Sequence, residues 1–228
     1  MKKQLIIFGA GETGTLARFY FDHDSEYKVV AYCADDKFVK SKRFDGLPLV
    51  KWSEVDKKYE MEKVDMHVAV NYDQMNRLRQ KKYEQVKKRG YRLASYVSSK
   101  SALWKDLSVG ENCFVLENQT IQPTVRIGNN VVIWSGNHLG HNSEVGDHTY
   151  ISSHVVVSGH CKIGERCFLG VNATLRDKIT LGDETFVTMG ALVAADTGKG
   201  DVVLAGRGVV FEGGSEKAEK IKSKYFGI

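Results

Sequence analysis

The chain has 228 residues, 42% of them hydrophobic, which is enough to bury one large core or two small ones. Its formal net charge is only +5, and its Lys and Arg residues are spread along the chain, which argues against nucleic-acid binding. Anionic small molecules remain compatible with this charge. The apolar run at residues 5–8 is too short for a signal peptide or a membrane span, so we expect a cytoplasmic protein without membrane insertion.

The first elements predicted are a buried strand at residues 5–8, a glycine-rich loop and a helix over 15–21. The loop carries the pattern GxGxxG, with its glycines at Gly9, Gly11 and Gly14. Such glycines let the backbone approach a diphosphate, whose charge is favoured at a helix N-terminus. A tight strand-to-helix turn without a ligand is the alternative interpretation.

A second strand is predicted at residues 28–32, and it leads to Asp35 and Asp36. A Rossmann-type fold places an acid about there for a ribose hydroxyl. A third strand is predicted at 67–70, followed by Asn71 and by a basic amphipathic helix over 74–89. These elements define a Rossmann-like domain at 1–95, which is too short for both halves of a dinucleotide site, so we expect a single nucleotide.

The second half of the chain is dominated by a repeat of six residues. Every sixth position between Val109 and Val193 is aliphatic, and every third member of the series is followed by glycine, so the full unit has 18 residues. This period fits short strands separated by corners, arranged as a triangular coil with the aliphatic side chains pointing inward. We therefore predict a parallel β-helix in a second domain at 96–228.

Small residues occupy most of the positions two before an aliphatic residue of the series, where the side chain also points inward. Three of the four cysteines, Cys113, Cys161 and Cys167, fall there, which explains them as core residues. No CxxC pair suggests zinc or redox chemistry. The repeat breaks at 194–201, which is predicted as a loop, and the charged stretch 215–224 is predicted as a helix that caps the open end.

The repeat resembles the hexapeptide-repeat superfamily, whose members form left-handed β-helices. Joined to a GxGxxG half-Rossmann domain, it is similar to the sugar-nucleotide N-acetyltransferases and sialic-acid O-acetyltransferases of bacterial surface-glycan pathways, such as those for lipopolysaccharide O-antigen. The resemblance implies a homotrimer with acetyl-CoA bound between neighbouring subunits and a nucleotide-linked amino sugar bound by the first domain. By this resemblance the nucleotide is held by Gly9, Gly11, Gly14, Asp35 or Asp36, and Asn71.

The segment from Leu139 to Asp147 resembles the catalytic segment of that family and places its general base at His141. Eighteen residues later, one coil further on, the same column carries Gly159, whose N–H the resemblance assigns to the acyl carbonyl oxygen. A solvated corner histidine and a simple turn glycine are the alternative interpretation of the pair.

Two features depart from the family pattern. Asn142 stands where an acid commonly follows the catalytic histidine, so Glu144 or Asp147 is left to supply the charge, or the histidine works unassisted. The terminal Gly-x-Pro-Ala element appears without its proline at 204–208. Family placement assigns the coenzyme to Gly159, Gly170, Asn172, Gly190, Ala191 and Gly206.

Transfer to an amine is the predicted reaction, because a diphosphate site favours a nucleotide-activated amino sugar over free sialic acid. O-acetylation of a sugar hydroxyl is the first alternative. A trimer that binds a sugar nucleotide without catalysis is the second, and Asn142 favours it. A zinc hydratase of the carbonic-anhydrase type is the third, but His154 and His160 lie six residues apart on different sides of a coil and diverge within one subunit.

Overall fold

The structure is a computed structural model and describes residues 2–206 and 210–227. Its N-terminal part is a five-stranded sheet in the order β3-β4-β2-β1-β5, parallel except between β3 and β4. The strands are β1 (Lys3–Phe8), β2 (Tyr27–Ala34), β3 (Arg43–Phe44), β4 (Leu47–Lys51) and β5 (Val64–Val68). The helices are α1 (Glu12–His23), α2 (Val55–Lys58) and α3 (Arg77–Lys88), with 3-10 turns at Asp36–Phe38 and Trp52–Glu54.

The first two strands and the first helix extend beyond their predicted bounds, and two further elements begin elsewhere than predicted. The third predicted strand lies at Val64–Val68 instead of 67–70, and all five of its residues are buried. Its polar members are satisfied internally: Asp65 accepts from Tyr27, and the Nδ1–H of His67 donates to the Ala94 carbonyl. The second predicted helix begins at Arg77, because residues 74–76 have left-handed backbone angles and cannot continue a right-handed helix.

The rest of the chain forms a parallel β-helix, as the repeat predicts. Each strand pairs in parallel with the strand one coil further on, as in Arg126 opposite Glu144 and Ile127 opposite Val145, 18 residues apart. The strands are β6 (Tyr96–Val97), β7 (Ser108–Val109), β8 (Phe114–Val115), β9 (Thr120–Ile121), β10 (Arg126–Ile127), β11 (Val132–Ile133), β12 (His138–Leu139), β13 (Glu144–Val145), β14 (Tyr150–Ile151), β15 (Val156–Val157), β16 (Lys162–Ile163), β17 (Phe168–Leu169), β18 (Thr174–Leu175), β19 (Thr180–Leu181), β20 (Phe186–Val187), β21 (Leu192–Val193) and β22 (Val202–Val203).

These strands form three flat sheets. The first sheet contains β6, β8, β11, β14, β17, β20 and β22; the second contains β9, β12, β15, β18 and β21; the third contains β7, β10, β13, β16 and β19. We call the turn from the first to the second sheet the first corner, the turn from the second to the third the second corner, and the turn from the third to the first the third corner. The inward aliphatic residues and the three β-helix cysteines form one continuous core.

The corners have a regular backbone. The third residue after the inward aliphatic position has a positive φ in nearly every turn, for example Asn130 (56°), Asn142 (56°) and Asn172 (58°). Asn and His tolerate this left-handed conformation better than most residues, so their frequency at these positions has a backbone cause.

The two parts of the chain share a core. The outer face of the first sheet, including Phe114 and Tyr150, packs in one cluster with Phe21 of α1 and Tyr32 of β2. The buried Asn112, at the third corner, accepts from the Val68 N–H (2.7 Å) and so ties the end of β5 to the β-helix. The N-terminal domain therefore covers the first sheet and leaves the second corner uncovered.

The C-terminal segment matches its prediction closely. Helix α4 (Glu216–Phe226) begins after Ser215, whose hydroxyl accepts from the Ala218 N–H, as an N-cap should. The predicted loop at 194–201 carries no strand, although Thr197 forms an isolated bridge with Leu181.

Candidate active site

His141 and Gly159 occupy the same column of the second corner. His141 follows β12 by two residues, and Gly159 holds the same place after β15, with which β12 pairs. A Cβ at position 159 would lie 2.6 Å from Cε1 of His141 and 2.9 Å from its Nδ1. The imidazole thus lies against the backbone of the glycine, in space that any other residue would fill.

The backbone separates His141 from three other β-helix histidines. His148, His154 and His160 all occupy left-handed corner positions, with φ between 58° and 63°, where their residue type is explained by conformation. His141 lies one position earlier and has no such constraint. Its side chain is exposed and its main-chain N–H donates to Oε1 of Gln122 (2.9 Å), so the corner fixes its backbone and leaves the ring accessible.

The backbone N–H of Gly159 has the properties of an oxyanion donor. Its neighbours are engaged, since Ser158 N–H donates to the Leu175 carbonyl (3.2 Å) and His160 N–H donates to the His141 carbonyl (2.8 Å). Among residues 2–206 and 210–227, no group accepts a hydrogen bond from the Gly159 N–H. Gly159 itself is only partly buried. A free donor therefore lies beside the His141 ring.

The side chain of Asn142 lies beside Nδ1 of the His141 imidazole. Its Nδ2 lies 3.4 Å from Nδ1 of His141, while its Oδ1 accepts from the Thr124 hydroxyl at 2.6 Å. Rotating the Asn142 side-chain amide by 180° would place its Oδ1 beside Nδ1 of His141, where it could accept from the Nδ1–H. With the proton on Nδ1, Nε2 of His141 is unprotonated and can act as a base. Thr124, whose hydroxyl oxygen also accepts from the Asn142 N–H (3.1 Å), holds this amide in place.

The two acids that the sequence offered as substitutes are engaged elsewhere. Glu144 forms an ion pair with Arg126, one coil below. Asp147 accepts from the Asn129 N–H (2.7 Å) at the third corner. The edge of His160 faces the His141 ring, with centroids 4.9 Å apart, so an aromatic ring and an amide surround the imidazole in this subunit.

Of the residues predicted for the coenzyme, Gly159 shares the second corner with His141, and the others lie elsewhere. Gly170, Asn172 and Gly190 belong to the first corner, and Gly190 has open space where a side chain would be. The side chain of Ala191 points into the β-helix core, which leaves only its backbone to face a ligand. Gly206 follows β22 and is exposed, and positions 207 and 208 of its element lie outside the described residues.

The glycine loop is built as its pattern suggests. Gly9 has a φ of +133°, and a Cβ there would overlap the Ala69 carbonyl oxygen; a Cβ on Gly14 would overlap the Gly9 carbonyl oxygen. Gly11 differs, because a Cβ there would meet nothing within 4 Å. It caps α1 without a side-chain hydrogen bond, so the first N–H groups of the helix face open space.

The other predicted nucleotide ligands share this end of the sheet. Asp35 follows β2 and pairs with Lys82 (2.7 Å), while Asp36 accepts from the hydroxyl (2.6 Å) and N–H (3.1 Å) of Ser53. The Ser53 hydroxyl lowers the pKa of Asp36. Asn71 is exposed just beyond β5, and its Oδ1 accepts from the Tyr72 N–H (2.9 Å). All of them lie at the carboxyl ends of parallel strands, where open α/β sheets bind ligands.

An aromatic groove of about 600 Å³ was not anticipated from the sequence. It runs along the first sheet beside Gly170 and is walled by aromatic rings. Tyr150 and Phe168 stack with ring centroids 5.3 Å apart. The signal was present as an 18-residue recurrence of aromatic residues on the outer face of this sheet: Tyr96, Phe114, Tyr150, Phe168 and Phe186.

No helix within the described ranges is both long and apolar enough to cross a membrane. Nor do the residues that the structure describes include a group of three or more His, Cys, Asp or Glu side chains that could hold a metal ion.

Sequence family models recognise the repeat. The model for the bacterial transferase hexapeptide (six repeats) matches residues 124–159, and the model for the hexapeptide repeat of succinyl-transferase matches residues 161–195. Residues 124–195 therefore consist almost entirely of hexapeptide repeats. No curated protein matches the chain in sequence.

Several solved structures resemble this chain over nearly its whole length. A variant of perosamine N-acetyltransferase from Caulobacter crescentus, in complex with CoA and GDP-perosamine, has a TM-score of 0.79 at 21% identity and covers 89% of this chain and 97% of its own. The acetyltransferase domain of PglB from Neisseria gonorrhoeae has a TM-score of 0.74 at 20% identity and covers 88% and 96%. WeeI from Acinetobacter baumannii has a TM-score of 0.56 at 18% identity and covers 90% and 97%. At these identities the likeness shows the fold, a left-handed parallel β-helix behind an α/β domain.

Proposed function

We propose that this protein transfers an acetyl group from acetyl-CoA to the amine of a nucleotide-linked sugar, in the cytoplasm and for surface-glycan synthesis. The observation that carries the proposal is the His141 imidazole lying against Gly159, whose N–H is free. A base and an oxyanion donor side by side are what acyl transfer needs. Perosamine N-acetyltransferase, which shares the fold, was solved with CoA and a nucleotide-linked amino sugar.

In the proposed reaction, acetyl-CoA supplies an activated acyl group as a thioester. Nε2 of His141 accepts the proton that the amine loses as its nitrogen bonds to the acyl carbon. The Gly159 N–H donates to the acyl oxygen as negative charge develops there. His141 then returns the proton to the departing sulfur, so the products are an amide and a free thiol.

The N-terminal domain supplies the nucleotide site in this proposal. Gly11 exposes the uncapped start of α1, where backbone N–H groups and the helix dipole favour a diphosphate. Asp35, Asp36 and Asn71 lie at the same end of the sheet and are left to select the base and the ribose. The domain is too short for both halves of a dinucleotide site, which agrees with a sugar nucleotide as substrate.

A homotrimer is part of the same proposal. The N-terminal domain covers the first sheet, whereas His141 lies at the second corner, so a neighbouring subunit is needed to bring sugar and base together. The second sheet supports this, because its outward residues include Leu192, 67% exposed, and Val156, 39% exposed. Apolar side chains of this kind indicate a surface that another copy covers.

The experiment is to incubate the enzyme with acetyl-CoA and a panel of UDP-, GDP- and dTDP-linked amino sugars and their hydroxyl counterparts. We expect thiol release only with amino sugars, with the acetyl group on nitrogen in the product's mass spectrum. His141→Ala should reduce kcat at least ~100-fold, within the range of a lost general base. His23→Ala, which removes an exposed histidine at the C-terminal end of α1, is the control and should keep full activity.

Three results would contradict the proposal in different ways. Turnover with hydroxyl acceptors alone would identify an O-acetyltransferase. Tight binding of a sugar nucleotide without thiol release would identify a non-catalytic binding protein. Full activity of His141→Ala would show that His141 is not the general base, although the protein would still be an acyltransferase.

A further inference from the structure

Two orphaned polar atoms lie together at the start of α3. Among the residues that the structure describes, the only buried side-chain atoms without a hydrogen-bond partner are Oδ1 of Asn76 and Nη1 of Arg79. Both side chains are at most 1% exposed. Buried polar groups are nearly always satisfied, so an unsatisfied guanidinium needs an explanation.

Arg79 is also a buried charge without a carboxylate. Its one hydrogen bond goes from Nη2 to the Asn112 carbonyl oxygen (3.3 Å). Burial lowers the pKa of Arg79 to about 10, which keeps the group charged at neutral pH. An uncompensated buried cation destabilises a fold. The fold alone therefore gives no reason to place an arginine here.

Arg79 lines a small cavity between the start of α1, the end of β5 and the outer face of the first sheet. The cavity has a volume of about 20 Å³, enough for about one oxygen-sized atom. Thr13, from the first turn of α1, and Asn71, just beyond β5, line it as well. No Asp or Glu lines it, and burial lowers the pKa of its His67 to about 3, so Arg79 is its only charged group at neutral pH.

The cavity lies where the fold predicts a ligand. Strand β1 has β2 on one side and β5 on the other, and the chain passes from one side to the other after β4. Ligands of open parallel sheets bind outside the carboxyl ends of the strands at such a switch point. The uncapped N-terminus of α1 and the unpartnered Arg79 thus offer two independent anion-binding features to one place.

We propose that Arg79 is a ligand-binding residue, whose Nη1 donates to one phosphoryl oxygen of the diphosphate held at the glycine loop. The inference rests on the proposed function for the identity of the ligand. A guanidinium suits this role because it remains charged and donates in a fixed plane. The volume of the cavity matches a single phosphoryl oxygen and excludes a whole diphosphate.

The test compares Arg79→Met with Arg77→Met, which removes an exposed arginine from the same helix. Binding of UDP, GDP and inorganic pyrophosphate is measured by calorimetry, and the melting temperature is measured without ligand. We expect Arg79→Met to melt at or above the wild-type temperature, because an uncompensated charge is gone, and to bind the nucleoside diphosphates at least tenfold more weakly. Arg77→Met should bind as the wild type does.

Unchanged affinity in Arg79→Met, with binding by the wild type, overturns this inference alone and means that water satisfies Nη1. A wild type that binds none of the three probes overturns both the inference and the nucleotide site of the proposed function. Should Arg79→Met not fold, Arg79→Gln decides by the same criterion, since it keeps a polar end without the charge.

Discussion

At the scale of single residues, the candidate site depends on the absence of a side chain at position 159. Its φ lies outside the left-handed region, so conformation does not require a glycine there. The atoms that a Cβ would meet belong to the exposed His141 ring, which can move. Gly140 is different, because a Cβ there would lie 2.5 Å from the backbone of residues 158 and 159. Gly159 therefore matters for the candidate site, whereas Gly140 matters for the fold.

Gly159→Ala should displace the imidazole and lower kcat about tenfold or more, while the free energy of unfolding changes by less than ~1 kcal/mol. Gly140→Ala should destabilise the β-helix by about 1–3 kcal/mol, because stacked backbones must separate. Urea unfolding and thiol-release kinetics on both variants check this pair. Equal loss of stability in the two would contradict it.

At the scale of elements, two of the three glycines in the glycine loop are required by the fold, and the third is accessible to the proposed ligand. Gly9 and Gly14 are required by close backbone approach, whereas Gly11 has free space around it. Since its φ is −150°, an alanine can occupy position 11 without strain.

Gly11→Ala should melt as the wild type does and bind nucleoside diphosphates about tenfold more weakly, because its methyl group occupies the approach to α1. Gly14→Ala, the matched variant, should be destabilised by several kcal/mol, since it forces α1 away from the loop. Melting curves and calorimetry give both readouts. Wild-type affinity in a folded Gly11→Ala protein would indicate a loop without a ligand.

Predictability from sequence also differed among elements. The β-helix was predictable because one inward position in six must be aliphatic, and the pattern repeats without interruption from Val109 to Val193. Strand β5 was misplaced because its Asp65 and His67 are polar yet buried, with partners distant in sequence. The start of α3 was missed because nothing in residues 74–76 announces three consecutive left-handed residues. The local sequence pattern therefore predicts which type of element forms, whereas contacts with residues distant in sequence decide where the element begins and ends.

The candidate site follows the same division. The column of His141 and Gly159 could be predicted, because it depends only on the 18-residue period. Thr124 and Arg79 could not be predicted as neighbours of the site, since each acts through contacts that only the folded chain reveals.

At the scale of the whole molecule, the shared core makes stability depend on neutral buried histidines. His67 packs between Phe21 and Phe114, where the two parts of the chain meet. Burial lowers its pKa to about 3, and burial also lowers the pKa of His148 at the third corner. The unfolded chain protonates both groups below about pH 6.5, whereas the folded chain resists protonation.

The free energy of unfolding should therefore be largest above pH 6.5 and fall as the pH drops toward 4, by up to about 1.4 kcal/mol per pH unit from His67, with a loss of the same sign from His148. Urea unfolding at pH 7, 6 and 5 measures this slope. His67→Gln should reduce it, and His23→Gln, an exposed histidine, should not. A stability that is flat between pH 6.5 and 4.5 would contradict the prediction.

Catalysis at a seam between subunits is the feature on which the proposed mechanism depends most. Within one chain the nucleotide domain covers the first sheet, and His141 lies at the second corner. His141→Ala lacks the base, and Gly11→Asp places a carboxylate against the diphosphate, so neither alone should be active.

The decisive measurement is the acetyltransferase activity of the proposed homotrimers when the two variants are co-expressed. If sugar and base come from neighbouring subunits, random mixing leaves about a quarter of the sites with an intact nucleotide domain and an intact His141, and activity should return to about that fraction of wild type. Mixed trimers no more active than the two variants assayed separately would contradict a site shared between subunits.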